Sequence, residues 1–218
     1  MLFSSMTFVY VFLPIVLLLY LVTKKEFHNP ILLAASILFY AWGEPRYLAI
    51  MLMIILINYF GAIAVDKVTK HKKLVLALGV IANLSFLTYF KYFNFFIDNL
   101  NHLFHANIDF IHVVLPLGIS FYTFQTMSYT IDVYKRETKA QHNIISFGMY
   151  VCMFPQLIAG PIVRFNTIAD DLVDRRHNDT VEHKLYGVYR FAIGLAKKVL
   201  IANVLRSEER RVGKECRS

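Results

Sequence analysis

Hydrophobic residues run through this chain in long blocks separated by short polar clusters, and the blocks set its elements. Seven apolar segments stand out, over residues 6–22, 31–42, 47–65, 74–90, 113–134, 144–160 and 185–205. A helix that crosses a bilayer needs ~20 apolar residues, so all but the second are near spanning length. The second, of 12 residues, is expected to be tilted, lengthened by its neighbours or partly re-entrant. The chain therefore reads as an all-α polytopic membrane protein. Its first segment has no basic residue before it and no small-residue cleavage site after it, so it reads as a retained span.

The sixth segment breaks the pattern of its class. Residues 154–164, Phe-Pro-Gln-Leu-Ile-Ala-Gly-Pro-Ile-Val-Arg, put Pro155, Gly160 and Pro161 around Gln156 at membrane depth, with Arg164 just beyond. Each proline removes a donor and disturbs the preceding turn. Such a backbone is tolerated in hydrocarbon only where protein buries it or a wet cavity runs beside it. Gln156 both donates and accepts, and Arg164 is a permanent cation. Together they suit an anionic ligand such as the phosphates of a nucleotide-type carrier. A proline-kinked helix with a snorkelling arginine accounts for the same residues.

The fifth segment is polar on two sides. At helical spacing Ser120, Thr123, Met127, Thr130 and Tyr134 share one side, and Gln125, Ser128 and Asp132 the other. No broad face is left for lipid, so this helix belongs inside the bundle. Helix–helix bonding by its Ser and Thr residues is the favoured role, with substrate contact the alternative. Asp132 is also placed to meet Lys135 or Arg136 at the interface.

Charge gives an orientation. Basic clusters follow the first segment (Lys24, Lys25), the third (Lys67, Lys70, Lys72, Lys73) and the fifth (Lys135, Arg136, Lys139). Two crossings separate each cluster from the next, so all three lie on one side. The positive-inside rule makes that side cytoplasmic and puts the N-terminus outside. The stretch 91–112 is then an external loop, whose entry, Tyr89 to Phe96, carries the aromatics that favour headgroups.

Composition agrees: the 218 residues are 57% hydrophobic and 17% charged, with net charge +8. That charge belongs to loops facing an anionic leaflet, and no nucleic-acid partner is expected. Cys152 and Cys216 form neither a disulfide framework nor a metal-ligand spacing. Residues 206–218 interrupt a periodic helix abruptly and resemble a translated sequencing adapter. Without them the net charge is +6, and residues 1–205 are read as the N-terminal part of one transmembrane domain. Such a fragment is expected to be neither active nor stable alone.

Residues 120–134, then 154–164, then 194–202 (Gly-Leu-Ala-Lys-Lys-Val-Leu-Ile-Ala), in this order and spacing, closely resemble the membrane-bound O-acyltransferase (MBOAT) family. The likeness is to its bacterial branch of alginate O-acetyltransferases, which Leu2 to Ser5 and Phe39 to Gly43 also resemble. The resemblance implies a ring of helices around a funnel through the bacterial inner membrane. It further implies transfer of an acyl group, most simply acetyl, from a cytoplasmic donor such as acetyl-CoA or an acyl carrier to hydroxyls of an exported polysaccharide. Partners would be that acceptor or a periplasmic acyltransferase; no bound cofactor is expected. Pro155, Gln156, Gly160, Pro161 and Arg164 would shape the funnel floor, and Gln125 and Asp132 its walls. Lys197 and Lys198 are read as snorkelling from an interfacial helix.

The family's catalytic histidine lies in a later helix, and none of the eight histidines here matches it. His105 and Asp109 spell the HxxxD signature of soluble coenzyme A acyltransferases, but in a loop and without its structural context. With eight histidines the spacing arises by chance. A secondary transporter and a non-enzymatic scaffold for polysaccharide export are the competing readings. No second copy of the 144–164 break lies in the chain, which weighs against the transporter.

Overall fold

The computed structural model describes residues 5–104, 115–160, 163–173, 180–202 and 204–205. The described residues are helical and contain no strand. The chain divides into two compact units, one of residues 19–169 and one of residues 1–18 with 170–218.

The larger unit begins with the end of α1 (Leu13–Val22) and continues through α2 (His28–Gly43), α3 (Leu48–Lys67), α4 (Lys72–Phe104), α5 (Ile119–Lys135), α6 (Ile144–Cys152) and α7 (Phe154–Ala159) to the start of α8 (Phe165–Val173). Two of its helices, over Pro45–Lys67 and Lys72–Leu103, are long and apolar enough to cross a membrane. Leu52, Phe60, Leu78 and Ile81 on α3 and α4 are exposed, the apolar surface that an all-α membrane protein turns to lipid. The short second segment is extended by its neighbours, since α2 starts three residues before it and gains a full turn. The 91–112 loop is corrected: α4 runs unbroken through the aromatic entry to Phe104, a helix of 33 residues. Aromatic belts mark a depth, and a helix can pass through that depth without ending.

Hydrogen bonds fix which ends of the helices lie together. Asn29 at the start of α2 donates to Ser146 at the start of α6 (3.2 Å). The Tyr59 hydroxyl, in the second half of α3, donates to the His142 carbonyl just before α6. At the other end, Glu44 accepts from the Leu117 N–H before α5 (2.8 Å), and the Tyr40 hydroxyl donates to the Leu117 carbonyl. The three basic clusters therefore share one end of this unit, as the positive-inside reading required.

Polar residues inside the spans pair with one another. Asn58 on α3 and Asn83 on α4 are buried and exchange amide hydrogen bonds, both at 2.8 Å. Each amide also reaches its own helix, at the Ile54 and Gly79 carbonyls. Interhelical bonds of this kind are worth about 0.6–1.7 kcal/mol in a bilayer. A double-mutant cycle on the lipid-embedded protein should therefore show coupling: Asn58→Ala and Asn83→Ala each destabilise, and the pair together costs less than the sum. Simple additivity would show that the two amides do not act as a unit.

In the smaller unit, α1 is preceded by a π-helical stretch, Phe8–Phe12. Thr180 caps α9 (Val181–Ala196), its hydroxyl accepting from the His183 N–H. The seventh segment thus starts four residues earlier than the apolar pattern indicated. A second π-helical stretch, Lys197–Ala202, continues α9 and carries the exposed Lys197 and Lys198. The adapter-like tail, His105, Asp109, His112 and His177 lie outside the described residues.

Candidate functional site

Helix α5 is inside its unit, as its two polar sides predicted. Tyr122, Thr123, Gln125, Thr126, Tyr129, Thr130, Asp132 and Val133 are all buried, while Phe121, Phe124 and the terminal Lys135 are exposed. The role favoured for its hydroxyls is corrected, however. Thr126 and Thr130 bond to carbonyls of their own helix at 2.8 and 3.0 Å, and Ser128 does the same. A hydroxyl has a carbonyl within reach on its own helix and need not leave it. Longer side chains bridge the helices instead. Gln125 donates to the Tyr150 carbonyl of α6 (3.1 Å), and the Tyr129 hydroxyl accepts from the Gln141 N–H (2.7 Å).

The break between α6 and α7 is real and protein covers it. Met153 leaves the helix at φ −47°, ψ 112°, while the last seven residues of α6 are buried. Every donor at the start of α7 is accounted for. The Phe154 N–H bonds to the Ser36 hydroxyl of α2 (3.2 Å), Pro155 has none, and the Gln156 and Leu157 N–H groups both use the Met153 carbonyl. Proline suits this first turn, where its missing donor costs nothing. Ser36 itself donates to the Leu32 carbonyl at 2.7 Å.

The direction of this segment differs from a simple crossing. It starts beside Tyr59 and Tyr129, at the basic end. Its far point is α7, where the Leu157 carbonyl would lie 2.9 Å from a Cβ on Gly118, at the opposite end of α5. It then returns: the Tyr150 hydroxyl donates to the Val163 carbonyl (2.9 Å), and Phe165 stacks edge-on against Tyr129 and Tyr150. Arg164 reaches Glu137 at the basic end (3.8 Å). Residues 144–160 therefore run in from the basic end and residues 163–164 lie back toward it, the two arms of a re-entrant hairpin. Spacing could not disclose this, because a hairpin and a crossing have the same local composition.

The candidate residues spread along that hairpin. Gln156 sits beside its tip, half-buried, and its Nε2 is enclosed with no hydrogen-bond partner. Pro155 is exposed, and Gly160 ends α7. A Cβ on Gly160 would come within 2.6 Å of the Gln156 Cα, so only glycine closes this turn. Arg164 is exposed at the basic rim and paired with Glu137, which also holds Lys135 at 3.7 Å. Glu137 thus takes the lysine that was expected to meet Asp132. The Asp132 carboxylate is buried and keeps one oxygen, Oδ2, without a partner. The tip and the rim stand roughly 25 Å apart, the length of α5 at 1.5 Å per residue. Pro161 lies outside the described residues.

Thr123, which the sequence placed on a polar side of this helix, likewise presents an enclosed hydroxyl without a partner, while the enclosed Tyr122 hydroxyl, which sequence reasoning did not select, faces the Tyr40 hydroxyl of α2. Enclosed unbonded polar atoms cost free energy unless water or a ligand meets them. Those of Thr123, Asp132 and Gln156 sit on α5 and α7, the two elements that flank the hairpin tip and return. Among the described residues no group of His, Cys, Asp and Glu could hold a metal ion.

Comparison with known proteins gives a consistent result. The chain is 41% identical over 212 residues, 94% of its length, to a probable alginate O-acetylase of Pseudomonas aeruginosa. It is 42% identical over the same length to the corresponding protein of Pseudomonas syringae, and 33% identical over 93% of the chain to a peptidoglycan O-acetyltransferase of Helicobacter pylori. The matches cover 40%, 40% and 45% of those proteins. No family model matches the chain. No solved structure matches it.

Proposed function

We infer, from a chain that is a homologue of named alginate and peptidoglycan O-acetyltransferases over nearly its whole length, that it serves the same chemistry. The resemblance to membrane O-acyltransferases read from its motifs is borne out by these relatives. The chain spans about two fifths of their length, and the activity belongs to the whole protein. That activity is transfer of an acetyl group from a donor on the basic, cytoplasmic face to hydroxyls of an exported polysaccharide, in the bacterial inner membrane and with the N-terminus outside.

The observation that carries this reading is the identity of about 40% with the alginate O-acetylases. The hairpin supports it by supplying a route. Arg164 at the rim offers a cation to an anionic donor such as acetyl-CoA or an acyl carrier, and Gln156 offers amide hydrogens deep within the bundle. Gln125 and Asp132 line α5 between these levels. Neither is a base for the acceptor hydroxyl; the resemblance puts that role on a histidine elsewhere in the protein.

The test is acyl incorporation into polysaccharide by the full-length protein. Gln156→Ala should lower transfer about tenfold, the effect of a lost hydrogen bond of about 1.4 kcal/mol. Arg164→Ala should raise the donor concentration needed for half-maximal rate and leave the maximal rate nearly unchanged. Full transfer by both variants would remove the hairpin from the donor path.

A further inference from the structure

Among the described residues, a concentration of unpaired charge lies away from Arg164, where the turn between α3 and α4 meets the end of α5. Lys70, His71, Lys72, Lys73, Tyr134 and Arg136 line a pocket there of about 540 Å³. That volume is within the range of small-molecule sites. Glu137, the carboxylate next in sequence to Arg136, is turned to Lys135 and Arg164. Among the described residues no carboxylate comes within salt-bridge distance of Lys70, Lys72, Lys73 or Arg136. Four cations thus line one concavity without a carboxylate partner among the described residues.

The backbone holds this arrangement. Arg136 adopts a left-handed conformation at φ 64°, fixed by its N–H bonding to the Asp132 and Val133 carbonyls. A non-glycine residue in this region is uncommon and persists where its surroundings require it. Here it turns the chain so that Arg136 lines the pocket and Glu137 does not. Lys72 lies over the Tyr134 ring with Nζ 5.8 Å from its centroid, which restrains a side chain that would otherwise roam. Helix α4 begins at Lys72, so its positive dipole end adds to the same field.

We propose that this pocket binds a phosphate-bearing anion of the pyrophosphate or phosphodiester class. Clustered lysines, a guanidinium and a helix start recognise phosphate oxygens, and their gathering around one open concavity separates this site from the scattered basic residues of the other loops. Such an anion can come from a soluble nucleotide-type molecule or from an anionic lipid headgroup at the membrane surface. The site needs only phosphate chemistry and stands whether or not the acyl-transfer reading does.

The test is binding by the full-length protein in phosphatidylcholine nanodiscs, with inorganic pyrophosphate and coenzyme A as soluble probes. In a second arm, phosphatidylglycerol enrichment around the protein is measured in mixed nanodiscs. Lys72→Gln and Arg136→Asn, the latter chosen because asparagine tolerates the left-handed region, should each weaken binding tenfold or more. Lys24→Gln with Lys139→Gln removes two charges from the same end but outside the pocket, and should change it less than twofold. Soluble-probe binding identifies a nucleotide-type ligand and phosphatidylglycerol enrichment a lipid; either supports the site. An equal loss in the Lys24/Lys139 control, or no pocket-dependent binding in either arm, would overturn it. Should Arg136→Asn fail to fold, Lys72→Gln decides the outcome alone.

Discussion

Gly118→Ala is expected to remove most of the folded protein. Gly118 lies at φ 76°, immediately before α5, where an L side chain is strained by about 1–2 kcal/mol. A Cβ there would also stand 2.9 Å from the Leu157 carbonyl oxygen, which belongs to helical backbone and cannot swing aside like a side-chain end. Crowding of this kind adds about 1–3 kcal/mol. The two effects together are comparable to a large part of a domain's net stability. Thermal midpoint and recovery of monodisperse protein in mild detergent measure the outcome. Gly118→Asn separates the causes, since asparagine accepts the left-handed backbone but still carries a Cβ. It should be less harmful than alanine and worse than wild type. Gly79→Ala in α4 is the control, because a Cβ at Gly79 meets nothing within 4 Å, and alanine favours the helix by about 1 kcal/mol. If Gly118→Ala melted with the wild type, the contact with Leu157 would not be what seats the hairpin tip.

That contact also marks the boundary of what the sequence discloses. Periodicity made the burial of α5 legible, because polar residues on two sides of a helix leave only one arrangement in lipid. Composition made the membrane legible, and basic clusters showed which ends lie together. The prolines and glycine of residues 154–164 announced a break. What they could not announce was its path. A segment that returns to the side it entered has the same residues as one that crosses, and only partners distant in sequence distinguish them. Those partners are Gly118 at the tip and Glu137 at the rim, neither of them unusual in a linear reading. The length of α4 was hidden for a different reason. Tyr89 to Phe96 do have interfacial character, yet nothing in that composition stops a helix. The candidate site is legible to the same degree: Gln156 and Arg164 are visible as residue types, while their separation by the depth of the bundle is a property of the hairpin.

Ser36→Ala is the second change expected to be severe, for a reason of hydrogen bonding. Ser36 is fully buried in α2, and its hydroxyl accepts the N–H of Phe154, the first residue after the break. The donors that follow are satisfied within the hairpin or absent, so this one bond from outside completes the interrupted backbone. Removing the acceptor from a buried amide costs about 1–3 kcal/mol, and more where hydrocarbon surrounds the bundle and water is remote. The thermal midpoint should therefore drop by several degrees, and acyl transfer by the full-length protein should fall with it as the hairpin loses its fixed tilt against α2. Ser146→Ala is the informative comparison. It deletes the same atom from the bond that joins α6 to α2 at Asn29, at the basic end, where the acceptor serves a half-buried side chain and not a backbone N–H at the break. Its cost should stay near 0.5 kcal/mol, at the low end for a single hydrogen bond. Equal shifts for the two serines would mean that the break is supported by packing alone. A much larger shift at Ser36 would assign to α2 the task of holding open backbone at membrane depth.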